Sequence, residues 1–337
     1  MRQFEHGVAR PAARFRTLLL PTVVISVLLA ATGVAAAQTA TDTLPILYRL
    51  DKGSDYEQGC FGPCACPVLI STGAAGTFVL TPAGFDGLYN NYKVTDINWI
   101  VSINGTDTFV TGSGTYKVGG EVAVQQELSL DLKVGDNAVQ HFDSGLVGST
   151  VPYPGIDVTI SMNGMTCHDT VFHVVTSPVP IDQIRPYRLV SGSSFQRGCF
   201  NACDCAIGPE LPMTGMFALV PLAAAPPWNE FAVVNARWRV LDSTASGSLA
   251  GFPVRGAGIY LYGGDFAVQQ RMNLIMKVDK EDPAHFDSGL VVGGGTARID
   301  VRVSVVGAVC VDTILEIHAE PRKALFRRST RTDGDAP

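Results

Sequence analysis

Two sets of residues in this 337-residue chain have the types and spacing for chemistry: eight cysteines and two copies of HFDSGLV. The cysteines fall in two similar groups. Cys60, Cys64 and Cys66 stand in GCFGPCAC, Cys199, Cys203 and Cys205 stand in GCFNACDC, and each cluster is followed roughly a hundred residues later by one more, Cys167 or Cys310. Four thiolates in a C-x3-C-x-C group plus a distant cysteine are able to surround Zn²⁺. The same four make two disulfides if the chain meets an oxidising compartment. Cysteines one residue apart on extended backbone point away from each other. The expected bond therefore runs from one cluster member to Cys167 or Cys310, worth up to ~4.7 kcal/mol in the chain-entropy account. The sequence leaves the connectivity open, and no metal or cofactor is expected.

In HFDSGLV, His141, Asp143 and Ser144, and again His285, Asp287 and Ser288, hold the residue types of a hydrolase triad. A triad needs those groups to converge from separate segments, which residues two and three apart do not achieve by themselves. Asp-Ser-Gly is turn chemistry, so the expectation is a structural turn with Phe142 and Phe286 facing inward. A ligand-binding loop is the alternative. Gln126 and Gln270 fall on the apolar side of their strands by parity, where a buried amide must find partners. The expected partners are structural, and a ligand cavity is the alternative. Trp99 and Trp238 are in the inward register with Tyr116 and Tyr260 nearby, which predicts core packing rather than a sugar-stacking surface. His168 has Val311 as its counterpart, so neither cluster depends on an imidazole there. Asn104-Gly105-Thr106 is a sequon on a surface turn.

These residues belong to a long internal repeat. YRLDKGSDYEQGCFGPCAC from Tyr48 aligns with YRLVSGSSFQRGCFNACDC from Tyr187 at ten of nineteen positions. GTFVLTP at Gly76 aligns with GMFALVP at Gly215, Trp99 with Trp238, and GSGTYKVGGEVAVQQ at Gly112 with GAGIYLYGGDFAVQQ at Gly256. The predicted organisation is a first β domain over 38–176, a proline-rich linker over 177–186, a second β domain over 187–320 and a basic tail over 321–337.

Period-2 alternation sets the fold class. Val124, Gln126, Leu128, Leu130, Leu132 and Val134 share one strand face, as do Ile156, Val158, Ile160 and Met162, and Ile97, Trp99, Val101 and Ile103. Copy two repeats the pattern with Val268 to Val278 and with Ile299 to Val305. Asn-Gly and Gly-Gly turns separate the runs. Charged residues are only 17%, too few for the polar faces of long helices. The prediction is an all-β chain of two tandem homologous antiparallel domains stapled by disulfides, a β-sandwich in preference to a small closed barrel.

Residues 1–37 read as a cleaved signal peptide: four arginines, an apolar run over 17–30 broken by Pro21, and Ala35-Ala36-Ala37 before Gln38. Without that segment the chain carries 21 basic and 30 acidic residues, a formal charge of −9. Such a charge disfavours general nucleic-acid binding, and no transmembrane anchor follows the signal. The expected location is secreted or periplasmic, with an extracellular ligand or envelope partner. No phosphate loop, HExxH motif or paired carboxylates stand out. The expected function is therefore a non-enzymatic binding or structural module. The alternatives are a hydrolase using His141 or His285 with an acid from another strand, and a small-molecule or lipid carrier if the domains are hollow barrels.

Overall fold

The computed structural model describes residues 44–62, 64–67, 70–201, 203–222, 226–242 and 251–322. Residues 1–37, read above as a signal peptide, and all but the first two residues of the basic tail lie outside them. The described residues are all β, with twenty strands and one 3-10 turn, Ile181–Gln183. The first ten strands are β1 (Ile46–Leu50), β2 (Asp55–Phe61), β3 (Ile70–Phe85), β4 (Tyr89–Ile103), β5 (Thr106–Gly119), β6 (Gln125–Val134), β7 (Gln140–Asp143), β8 (Val147–Gly148), β9 (Ile156–Ser161) and β10 (Cys167–Pro178). The second ten are β11 (Arg185–Leu189), β12 (Ser194–Phe200), β13 (Leu211–Pro221), β14 (Trp228–Leu241), β15 (Gly251–Gly263), β16 (Gln269–Val278), β17 (Ala284–Asp287), β18 (Val291–Val292), β19 (Ile299–Ser304) and β20 (Cys310–Pro321). The proline-rich segment is taken up by strands at both ends, so only six residues connect β10 to β11 and they turn at 181–183 instead of running extended. Among the described residues no helix is long and apolar enough to cross a membrane.

Each set of ten forms one antiparallel sheet folded over on its own core. In the first, β2 to β7 are successive neighbours, β9 lies beside both β7 and β10, and β10 pairs back onto β2. The link between β7 and β9 is a single residue pair, Asp143 with Ser161; in the second sheet it is Asp287 with Ser304. The inside is filled in a sandwich-like way. Trp99 of β4 meets Phe172 of β10 at 5.6 Å between ring centroids, although these strands are not neighbours in the ladder. Leu128, Leu130 and Leu132 of β6 and Ile156, Val158 and Ile160 of β9 are buried, as the alternation predicts. The ends of those rows differ: Val124, Val268, Met162 and Val305 lie beyond their strands and are exposed. Gly76 sits opposite Trp99 because a Cβ there would come within 2.2 Å of the Asn98 carbonyl.

A third apolar cluster joins the two sheets. Ala232, Val234 and Ile259 of the second sheet pack with Phe109 of the first, and Ile100, Ala75 and Ile275 flank them. Polar contacts cross the same seam: Asn98 Nδ2 donates to the Gly258 carbonyl at 3.0 Å, and Arg49 donates to the Pro221 carbonyl at 2.9 Å.

All eight cysteines are paired. Cys64 lies beside Cys167 with Cα atoms 5.0 Å apart, and Cys203 beside Cys310 at 5.0 Å. Cys60 pairs with Cys66 and Cys199 with Cys205. One cluster member thus reaches the distant cysteine in each sheet, and no thiolate set is left for a metal. The turn that presents Cys167 is held by Asp169, a residue that the alternation does not single out. Its buried carboxylate accepts from the backbone amides of Met162, Asn163, Met165 and Thr170 at 2.7–3.2 Å. Asp312 does the same for Val305, Val306, Ala308 and Thr313. Replacing Asp169 with Ala removes one charged acceptor shared by four backbone amides, including that of the buried Thr170, and a hydrogen bond to a charged group is worth about 1.5–3 kcal/mol. The expected loss is at least ~3 kcal/mol in denaturant unfolding at pH 7. A loss below ~1 kcal/mol would show that this carboxylate does not hold the turn.

Candidate functional site

HFDSGLV lies where the fold-over closes. Ser144 takes the place of a strand partner for β6: its amide donates to the Leu128 carbonyl at 3.1 Å, and its hydroxyl accepts from the Leu128 amide at 3.0 Å. The hydroxyl also donates to the Gly145 carbonyl at 2.8 Å, while Asp143 Oδ1 accepts from the Gly145 amide. Ser288 and Asp287 repeat every one of these contacts around Met272 and Gly289. Phe142 and Phe286 are buried. Thus both serines and both aspartates of the motif hold turn backbone, and Asp287 also receives a side chain, Arg271.

The histidines point away from that turn. His141 Nδ1 lies 2.9 Å from Asp131 Oδ1, and His141 Nε2 lies 3.5 Å from Ser129 Oγ. This is an acid from another strand, together with a serine the sequence reading did not pick out. The three occupy the outer face of β6 and β7, with the His141 and Asp131 side chains 62% and 64% exposed. Proton transfer to a developing nucleophile is efficient where water is excluded and an oxyanion is received by preorganised donors, and this face is open to solvent. In the second sheet the corresponding residues are Asn273 and Ile275; His285 pairs with Asn273, and its ring lies 5.7 Å from Phe109 at the seam.

Gln126 and Gln270 are buried, and both the oxygen and the nitrogen of each amide are hydrogen-bonded. Tyr116 donates to Gln126 Oε1 at 3.1 Å, and Gln126 Nε2 donates to the Asp157 carbonyl at 2.8 Å. Tyr260, Gln270 and the Asp300 carbonyl match them. Burial raises the phenols of Tyr116 and Tyr260, the latter to about 12, so both stay protonated donors. Trp99 and Trp238 are buried.

The site missed by strand parity is a cleft of about 570 Å³ between the two sheets. It forms where both sheets carry a β-bulge: between Val94 and Ile97 of β4, and between Val233 and Ala236 of β14. Asp96 and Asn235 take left-handed backbone there, each with φ 52°. Bulges re-aim side chains and gather beside functional sites. The first sheet supplies Leu47, Thr77, Val79, Asp96 and Asn98; the second supplies Val234, Arg237, Arg255, Ile275 and Lys277. The cleft is a volume suited to a small ligand, with an apolar floor and a charged rim.

Beside the seam, Arg271 holds Asp287 through two hydrogen bonds at 2.9 and 2.7 Å and reaches Asp107 of the first sheet at 3.1 Å. Burial pushes the Asp287 carboxyl up, but the Arg271 guanidinium and the Gly289 amide outweigh it and hold the carboxyl below its ordinary value. Glu230 is shifted the other way, raised by burial and then by the Asp107 charge.

Two outcomes follow. Ser144→Ala leaves the Leu128 amide unpaired and is expected to cost about 1–3 kcal/mol, whereas Ser129→Ala on the open face changes stability by less than ~0.5 kcal/mol; equal effects in chemical unfolding would refute the structural assignment of the motif. A raised carboxyl means that folding takes up a proton and the ionised form is penalised. Glu230→Gln should therefore raise the thermal midpoint at pH 7, where the penalty is fully present. The gain should vanish as pH falls below the unfolded value of about 4.3; a gain independent of pH would contradict it. Compared with known protein families, curated proteins and solved structures, the chain has no match.

Proposed function

We propose that this protein is an exported, non-enzymatic binding module built from two homologous disulfide-stapled β domains, with its ligand site in the cleft between them. The observation that carries this reading is the cleft itself, about 570 Å³ in volume and walled by the bulges of both sheets. Export is supported by the basic and apolar N-terminal segment over 1–37 and by eight paired cysteines, since disulfides persist in oxidising compartments. A carrier of the hollow-barrel kind has less support, because aromatic and aliphatic side chains occupy the interior of each sheet.

The test uses the mature, oxidised chain from Gln38. A thermal-shift screen against small molecules should give ligands that raise the midpoint. Ala257→Phe, which places a ring in the cleft from its half-buried β15 wall, should abolish those shifts while the ligand-free protein still unfolds cooperatively. Ligands that bind the Ala257→Phe protein as well as the parent would move the site elsewhere. Mass spectrometry of exported protein should find the N-terminus at Gln38 and a Cys64–Cys167 cross-linked peptide; a retained leader or free thiols would remove the export reading.

A further inference from the structure

Four arginines of the second sheet have a carboxylate beside them. Arg197 pairs with Glu281, Arg271 with Asp287, Arg298 with Asp300 and Arg302 with Glu316. Arg237, Arg255 and Lys277 differ. They stand directly opposite one another across three adjacent strands, Arg237 of β14 facing Arg255 of β15, and Arg255 facing Lys277 of β16. Directly opposed residues share one sheet face with Cβ atoms about 5 Å apart, and like charges so placed destabilise the sheet. All three are exposed and line the cleft, and among the described residues none has an ion pair or side-chain hydrogen bond. The chain around them is otherwise acidic, with 30 Asp and Glu against 21 Lys and Arg after residue 37.

The opposite wall adds a second observation. Thr77 is 1% exposed, lines the cleft, and its hydroxyl has no hydrogen-bond partner among the described residues. A buried hydroxyl left unpaired costs about 1–3 kcal/mol. Among the described residues the one carboxylate on the cleft wall is Asp96, which accepts from Thr95 and makes no ion pair with the three cations. Leu47, Val79, Val234 and Ile275 form an apolar surface beside this polar group.

We infer that the cleft binds a small amphiphilic acid: a carboxylate, sulfate or phosphate group received by Arg237, Arg255 and Lys277, with an apolar body against Val79, Val234 and Ile275. Guanidinium groups receive such oxyanions in bidentate fashion, and the hydrogen bonds are charge-assisted. A bound anion also removes the repulsion along the cationic row. The inference rests on the cleft being the ligand site.

The experiment titrates the mature, oxidised protein calorimetrically with octanoate and octyl phosphate, and with octanol and octylamine as controls. Both acids are expected to bind, octylamine is not, and octanol binds more weakly. Arg255→Gln is expected to weaken the acids about tenfold or more, as loss of a hydrogen bond to a charged group does. Lys277→Gln provides an independent second variant. Removing one of three opposed cations leaves the midpoint of the ligand-free protein unchanged or raises it, so weaker binding would not come from unfolding. Octanol binding as tightly as the acids, lost in Ala257→Phe but unchanged in both charge variants, would overturn the acidic ligand and leave the cleft as the site. No binding by either acid overturns the inference outright, and the small-molecule screen with Ala257→Phe then decides the cleft separately.

Discussion

The seam between the two sheets is the contact on which the candidate site depends. Ala232, Val234 and Ile259 bury an outer face of the second sheet against Phe109 of the first, with Ile100 and Ile275 beside them. Outward residues of an antiparallel sheet are ordinarily polar because water covers them. Here the usual polar face is replaced on one side only, and the exchange creates both a rigid connection and a wall. The connecting segment is too short to act as a spacer, and Val179 within it is buried in the same cluster. The bulges at Asp96 and Asn235 keep the two surfaces from closing completely, and the cleft is the space between them.

The apolar contact is heterologous: the patch the second sheet uses, around Ala232, Val234 and Ile259, does not align with the patch the first uses, around Ala75, Ile100 and Phe109. Such contacts propagate into open assemblies unless the end surfaces are unsuited to repeat them. At the positions aligned with Ala232, Val234, Ile259 and Ile275, the first sheet has Lys93, Thr95, Thr115 and Asp131. At the positions aligned with Ala75 and Ile100, the second sheet has Thr214 and Arg239, both exposed. Each sheet therefore carries one apolar docking face and one polar face, in opposite places. Polar end surfaces of this kind cap repeat stacks. The exposed Asp131–His141–Ser129 line falls on the first sheet's polar end face, which fits a solvated surface better than a reaction centre.

Much of this architecture is legible in the sequence because it obeys a local period. Parity alone puts Trp99, Leu128 and Val158 inside, and it places Gln126 among them with partners it must find. The cysteine spacing favours a bond to Cys167, since cysteines one residue apart face away from each other on extended backbone, but it does not say that Cys64 makes it. Asp169 is harder. It is an isolated acid on an otherwise ordinary strand, and only its recurrence as Asp312 two residues after a cysteine hints at a role. The cleft is not visible to parity at all, because it belongs to two outer surfaces that meet. A signal for it does exist: Ile259 and Ile275 stand where the first copy has Thr115 and Asp131, so apolar residues appear on a face that alternation assigns to water.

The same comparison of copies isolates what is specific to the cleft. Arg237 and Arg255 align with Asn98 and Thr111, while Lys277 aligns with Lys133. In the first sheet the row is largely neutral, and Asn98 is turned to docking through its bond to the Gly258 carbonyl. In the second sheet the row becomes cationic across three strands, and among the described residues no carboxylate pairs with it. Divergence for stability alone would favour neutral residues or a carboxylate there, as at Arg271 and Asp287, because opposed like charges work against strand pairing. An arrangement that costs stability and faces a cleft is the feature on which the proposed acidic ligand rests.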